Sequence, residues 1–315
     1  MAECGDQGAN MKKLFRLFKT LFIRRRPVQL APDKPLRRWD VRCLSKAGVH
    51  RMSCVEWGDS ANPRVLICVH GLTRNARDFD DLAQALSAHY RVICPDVVGR
   101  GESDWLVEKL GYQIPQYAAD IFAMLKHLGI KEVDWVGTSM GGLIGMGLAS
   151  QPGSPIRRMV LNDVGPVITG VSLQRIGEYV GHAPDFPTLD AAEQFIRAVS
   201  AGFGKLSDAQ WRHLTRYSIK QEGGVWKMRY DPGIGDAFRA GPIGDVAIWP
   251  IYDAIKCPVL VIRGAESDLL LPETVAEMTR RGPRAQSVEI PDTGHAPMLM
   301  EPAQIDIVKR FLLTD

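Results

Sequence analysis

The sequence predicts an α/β fold: a mostly parallel central sheet flanked by helices, with a helical insertion over one end. Three observations predict it. Strand-like and helix-like runs alternate from residue 39 onward. Several strand-like runs are continuously apolar, as strands covered on both faces are. The alternation stops between about residues 166 and 250 and then resumes.

The elements follow in order. DVRCLS and HRMSCVEWG read as a hairpin. RVLICVHG is an apolar run ending in glycine, a buried parallel strand. ARDFDDLAQALSAH has the spacing of an amphipathic helix, and RVICPDVVG is a second buried strand. IPQYAADIFAMLKHLG starts near Pro115 and stops at Gly129, as a helix does. VDWVGTS is a third strand, MGGLIGMGLASQ a helix that follows it without a loop, and RRMVLND a fourth strand. After the interruption come PVLVIRG, PETVAEMTRR, QSVEI and QIDIVKRFLL, alternating strand and helix. The predicted organisation is therefore an N-terminal extension and linker over 1–38, a core over 39–165 and 251–315, and a cap over 166–250.

Charge is uneven. The chain carries +3 overall, but residues 11–26, MKKLFRLFKTLFIRRR, hold seven basic residues and no acidic one. The rest has 32 basic against 36 acidic residues, with no basic surface pattern to argue for nucleic acid. Apolar residues at 14, 17, 18, 21 and 22 have helical spacing. A basic amphipathic helix lying on an anionic membrane surface is one reading. A tail, or a helix packed on the domain, is the other. Arg16 and Lys19 interrupt the apolar stretch, so it is a poor signal-peptide core. Either Met1 or Met11 could be the natural start. No run of 18 apolar residues occurs, so no transmembrane helix is expected. The six cysteines form no CxxC pair, and no metal site is expected. Cys68 and Cys94 read as small buried hydrophobes. A cytoplasmic location follows as an expectation, with peripheral contact to the inner membrane face through residues 11–26.

The chemistry is concentrated in a few loops. Residues 137–141 are Gly-Thr-Ser-Met-Gly, a G-x-S-x-G between a strand and a helix. A serine at such a turn is held in a strained conformation with its hydroxyl exposed, and small neighbours relieve the crowding. Ser139 is the candidate nucleophile, and the Met140 N–H would face the substrate oxygen. His70-Gly71-Leu72 follows an early strand, so the Leu72 N–H is the second candidate oxyanion donor. His70 itself reads as structural. His295, in the loop before the last helix, is the candidate base. Asp268, after the strand VLVIRG, is the candidate acid, because serine, acid and histidine then follow in order. Asp163, at the end of the preceding strand, is the alternative acid. Arg74, Trp105 and Trp211 are candidate substrate contacts. For Arg74 the alternative is a solvated loop arginine, and for the insertion's aromatics a local core.

With these residues assembled, the chain resembles the α/β-hydrolase family from about residue 39 to the C-terminus. Asp96-Val97-Val98-Gly99-Arg100-Gly101-Glu102-Ser103 is similar to that family's D-x-x-G-x-G-x-S loop. The resemblance implies a cap over the site and no metal or organic cofactor. Within the family the chain looks closest to bacterial esterase-like members and to the meta-cleavage C–C hydrolases. Leu72-Thr73-Arg74-Asn75 and Ala296-Pro297 depart from the C–C hydrolase pattern, and Ser139 departs from the dehalogenases and epoxide hydrolases, which use aspartate there. The expected function is cleavage of a small-molecule carboxylic ester, of small to medium acyl chain or a hydroxyacid, with lactones included, through an acyl-enzyme. C–C hydrolysis of a dienoic acid and non-catalytic ligand binding are the alternatives.

Overall fold

A computed structural model describes residues 36–241 and 244–314. Residues 11–26, the expected amphipathic segment, lie outside the described residues. No helix among the described residues is long and apolar enough to cross a membrane.

Among the described residues, the central sheet has eight strands. A hairpin of β1 (Arg37–Ser45) and β2 (Gly48–Trp57) opens the domain. The first strand therefore begins inside the expected linker. Then follow β3 (Val65–Val69), β4 (Arg91–Pro95), β5 (Val133–Thr138) and β6 (Ile156–Asn162). Beyond the insertion, β11 (Val259–Gly264) and β12 (Gln286–Ile290) complete the sheet. The spatial order is β1-β2-β4-β3-β5-β6-β11-β12. Pairing from β4 to β12 is parallel, while β1–β2 and β2–β4 are antiparallel. All residues of β3 and of β11 are buried, which is why β3 and Val259–Ile262 of β11 read as unbroken apolar runs.

Helices cover both faces. They are α1 (Asp80–Leu86), α2 (Ile114–His127), α3 (Met140–Ala149), then α4 to α8 around the insertion, and α9 (Pro272–Met278) and α10 (Pro302–Leu313). α2 has Pro115 in its first turn and ends before Gly129 at φ 67°. Two apolar layers result. Met52, Ile67, Trp135, Ile144 and Val261 pack on one face of the sheet, and Leu66, Phe79, Leu82, Val136 and Val308 on the other.

The insertion holds α4 (Gly170–Tyr179), α5 (Leu189–Val199), α6 (Asp208–Ser218), α7 (Gly233–Arg239) and the short α8 (Trp249–Asp253). The sequence predicts a helical insertion, but it also carries two short strand ribbons. β7 (Val167–Ile168) pairs with β10 (Val246–Ala247), and β8 (Ile219–Glu222) pairs with β9 (Val225–Met228). The first ribbon ties the two ends of the insertion together. Its aromatics form a third apolar cluster: Phe186, Phe195 and Trp211 pack with Leu214, Ile219 and, from the loop after His295, Met298 and Met300.

Candidate active site

The site lies at the carboxyl ends of the parallel strands, where β5, β3, β6 and β11 deliver adjacent loops. Ser139 links β5 directly to α3 with φ 50° and ψ −114°. A non-glycine residue at positive φ is costly, of order 1–3 kcal/mol, and persists only where its surroundings over-determine it. Here they do. The Ser139 N–H donates to Asn162 O at 3.0 Å, and the N–H groups of Gly142 and Leu143 donate to Ser139 O. Gly137 and Gly141 lie back to back, and a Cβ on Gly141 would strike the backbone of Val69 in β3. Only glycine lets the turn come this close.

His295 meets Ser139 from the opposite side. Its Nε2 lies 3.0 Å from Ser139 Oγ, and its Nδ1 lies 2.7 Å from Asp163 Oδ2. A carboxylate only accepts, so Nδ1 carries the proton and Nε2 offers its lone pair to the serine hydroxyl. Asp163 is fully buried and itself sits at φ 54°. Its Oδ1 accepts from the Gly264 N–H at 2.8 Å and its Oδ2 from the Ser267 hydroxyl at 2.6 Å. Three donors thus hold a buried carboxylate in place.

Asp268 does not take part, which corrects the expectation from chain order. Its carboxylate is about half exposed and pairs with Arg175 at 2.7 Å. The loop after β11 instead contributes Ser267, one residue earlier. β6 and β11 are neighbours in the sheet, so their two loops end side by side, and either could have supplied the acid.

Leu72, Ser139 and Met140 line the same cavity. Met140 is the first residue of α3, where a backbone N–H has no intrahelical acceptor and the helix dipole is positive. His70 braces the Leu72 loop. Its Nε2 accepts from the Val97 N–H at 2.9 Å, so its Nδ1 donates to Gly71 O at 2.8 Å. Burial pushes its pKa down to about 3, so the ring is neutral and structural. Asp96 closes the next loop by accepting from the N–H groups of Ala76 and Glu102, each at 2.8 Å.

Sequence reasoning passed over Asn162. Its amide donates to Thr138 Oγ1 at 2.9 Å and to Pro297 O at 2.8 Å, tying the end of β5 to the loop that carries His295. No motif surrounds it, so only the strand pairing could have pointed to it.

Ser139 opens onto a cavity of about 920 Å³. Its walls are mainly apolar: Leu143, Val164, Ile168, Leu173, Ile176 and Phe238 from the core and the insertion. Polar groups are sparse and include Gln113, Gln174, Glu178 and Arg239. None of the three expected substrate contacts lines it. Arg74 spends its guanidinium on Asp78, at 2.6 and 2.8 Å, and on Ser218 Oγ at 3.0 Å. Trp211 is buried in the third apolar cluster and stacks on Phe203. Trp105 is 40% exposed and lies under the ammonium groups of Lys109 and Lys220.

One group of donors among the described residues could hold a metal ion: Cys43, His50 and Asp120, buried at the β1–β2 edge of the sheet. They already contact one another, with His50 Nε2 2.9 Å from Asp120 Oδ2.

The sequence model of the alpha/beta hydrolase family matches residues 66–305, well over half of the chain. The chain belongs to the alpha/beta hydrolase family. Among relatives in this family, a 3-hydroxybutyrate-oligomer hydrolase of Cupriavidus necator is 50% identical over 280 residues, covering 86% of this chain and 96% of that one. An esterase of Mycobacterium tuberculosis is 29% identical, covering 84% and 87%. Solved structures agree. An alpha/beta hydrolase from Novosphingobium aromaticivorans superposes with a TM-score of 0.77 at 38% identity, covering 87% of this hydrolase and 98% of that chain. A Rickettsia typhi protein does so with a TM-score of 0.82 at 34% identity, covering 89% and 99%.

Proposed function

We propose that this hydrolase cleaves carboxylic esters through an acyl-enzyme on Ser139, and that its substrates are short oligomers of a hydroxyacid. One observation carries the mechanism: the unbroken chain Asp163–His295–Ser139, at 2.7 and 3.0 Å, ending on a strained strand-to-helix serine. His295 takes the Ser139 proton as Oγ attacks the ester carbonyl, and Asp163 keeps the imidazole in the right tautomer and stabilises its cationic form. The N–H groups of Leu72 and Met140 receive the negative charge that forms on the carbonyl oxygen. His295 returns the proton to the leaving alcohol. Water then repeats the attack and frees the acid.

The cavity and a relative together support the substrate class. About 920 Å³ is far more space than an acetyl group needs and lies within the range of drug-sized ligand sites. Apolar walls suit the methyl and methylene groups of a hydroxyalkanoate chain. The Gln113 and Gln174 amides supply uncharged donors for its repeated ester carbonyls. The Cupriavidus necator relative is named for 3-hydroxybutyrate oligomers.

The test is hydrolysis of 3-hydroxybutyrate dimer and trimer beside p-nitrophenyl esters of increasing acyl length, with Ser139→Ala in parallel. Release of monomer that depends on Ser139 supports the proposal. Turnover of a vinylogous diketone with no turnover of any ester would replace it with C–C hydrolysis.

A further inference from the structure

Arg100 is a cation with nowhere to discharge. Its side chain is fully buried, among the largest such side chains in the protein. Isolated charges are among the costliest groups to take out of water and are normally paired. Yet among the described residues no carboxylate pairs with Arg100. Its Nε donates to Leu72 O at 2.8 Å, its Nη1 to Val98 O at 2.7 Å and its Nη2 to Met140 Sδ at 3.5 Å. The guanidinium also lies 4.8 Å from the Tyr117 ring centre and 5.6 Å from that of Tyr112. Carbonyl dipoles, a thioether and two aromatic faces solvate the charge without cancelling it.

Two of those acceptors belong to Leu72 and Met140, which line the cavity with Ser139 and are the candidate oxyanion donors. Holding the Leu72 carbonyl fixes the peptide plane after that residue, and its own N–H lies one Cα away. The Arg100 backbone is itself fixed against the insertion. The Gly101 N–H donates to Arg229 O at 3.0 Å, the Asp231 N–H to Gly99 O at 2.8 Å, and Arg100 bridges Tyr230.

We infer that Arg100 is a positioning residue of the oxyanion hole, and that its uncancelled charge, held behind Leu72 and Met140, favours the site once the substrate oxygen becomes an anion. This rests on the ester-hydrolase reading above. A salt-bridged arginine would present a dipole to the site, whereas an unpaired one presents a full charge in a low-dielectric setting. A neutral ester gains little from that charge and the tetrahedral anion gains much. The effect therefore falls on kcat and leaves KM nearly unchanged.

The experiment compares Arg100→Lys and Arg100→Met with wild type on one p-nitrophenyl ester. Active sites are counted by stoichiometric labelling with an aryl phosphonate, so misfolded protein drops out of kcat. Removing one oxyanion donor elsewhere costs about 10²–10³ in kcat. Arg100→Met is expected to lose about 100-fold in kcat per labelled site, with KM within about threefold. Arg100→Lys keeps the charge but cannot reach all three acceptors, and is expected to recover about tenfold of that loss. Affinity for an arylboronic acid, which becomes a tetrahedral anion on the serine, should fall in parallel with kcat. The inference is overturned if Arg100→Met keeps wild-type kcat per site, if the loss appears in KM, or if lysine recovers nothing. If Arg100→Met does not fold, Arg100→Lys decides: reduced kcat at unchanged KM supports the inference, and wild-type kcat overturns it. Failure of the ester-hydrolase reading looks different, since wild type itself would then turn over no p-nitrophenyl ester.

Discussion

Asp163 ends the strand β6, yet its carboxylate meets the imidazole of His295, 132 residues further along, at 2.7 Å. The meeting puts Asp163, not Asp268, beside the candidate base, while Asp268 stays on the surface. Asp163→Asn keeps the shape but offers Nδ1 an amide in place of a carboxylate, and favours the wrong tautomer. The comparable lesion in serine proteases lowers kcat on the order of 10⁴, and a similar loss is expected here. Asp268→Asn removes one exposed ion pair to Arg175, worth about 0–1 kcal/mol, and should leave kcat within about fivefold of wild type. Parallel kcat measurements on one p-nitrophenyl ester check both. A large loss from Asp268→Asn with little from Asp163→Asn would reverse the assignment.

The two acids show how far the sequence could be read. Gly137 to Gly141, His295 and the alternating strands carry local signals that require their context: two tight glycines, a loop before the last helix, apolar runs of strand length. These made the fold and most of the site legible. The choice of acid has no local signal. Asp163 and Asp268 both follow strands, both lie between Ser139 and His295, and their strands are neighbours in the sheet. Only the folded structure breaks the tie: Asp163 is buried, held by Gly264 and Ser267, and meets His295, while Asp268 pairs with Arg175 at the surface. Trp211 was illegible for another reason. An aromatic in an insertion serves a pocket or a local core equally well by composition, and here Phe186, Phe195 and Met298 close around it. Arg74 was claimed by Asp78, four residues on, a partner the one-turn spacing allowed.

Ser267 supports Asp163 without touching His295. Its hydroxyl donates to Asp163 Oδ2 and accepts from the Leu269 and Leu270 N–H groups at 3.3 and 3.2 Å. Ser267→Ala strips one donor from a buried carboxylate and leaves those N–H groups unmet. Hydrogen bonds to charged groups are worth about 1.5–3 kcal/mol, so unfolding free energy should fall by about that amount. Denaturant titration reads the loss, and an unchanged midpoint would refute it.

Cavity length should set chain-length preference. Ala237, on α7, gives the cavity wall only a methyl group. Ala237→Phe places a ring in the space beyond Leu143 and Ile176. kcat/KM for a 3-hydroxybutyrate trimer, or for a long-chain p-nitrophenyl ester, should fall about tenfold or more, a change of about 1.4 kcal/mol. p-Nitrophenyl acetate, which needs only the space at Ser139, should be turned over nearly as before. Equal losses on both esters would mean that the ring disturbs Ser139 and says nothing of chain length.

His70 and Asp96 oppose each other in their dependence on pH. The His70 ring accepts from the N–H of Val97, the residue next to Asp96, so the two titratable groups share one loop. Burial lowers His70 from 6.5 to about 3 and raises Asp96 from 3.8 to about 7. For His70 the folded state refuses a proton that the unfolded chain accepts below about 6.5. Its contribution to stability is complete above that pH and is lost as pH falls toward about 3. For Asp96 the folded state keeps a proton that the unfolded chain releases above about 3.8. Its contribution is complete below that pH and is lost as pH rises through about 7. Between about 4 and 6.5 the two slopes have opposite signs, so wild-type stability should vary little there on their account. Asp96→Asn removes one of them. The unfolding free energy of the variant, measured against wild type, should then rise with pH by roughly 1–2 kcal/mol per unit between about 4 and 6.5. Urea titrations at half-unit intervals measure that difference directly. A difference that stays flat across the window would mean that Asp96 is ionised in the folded protein, with the Ala76 and Glu102 N–H groups outweighing the burial of its carboxylate.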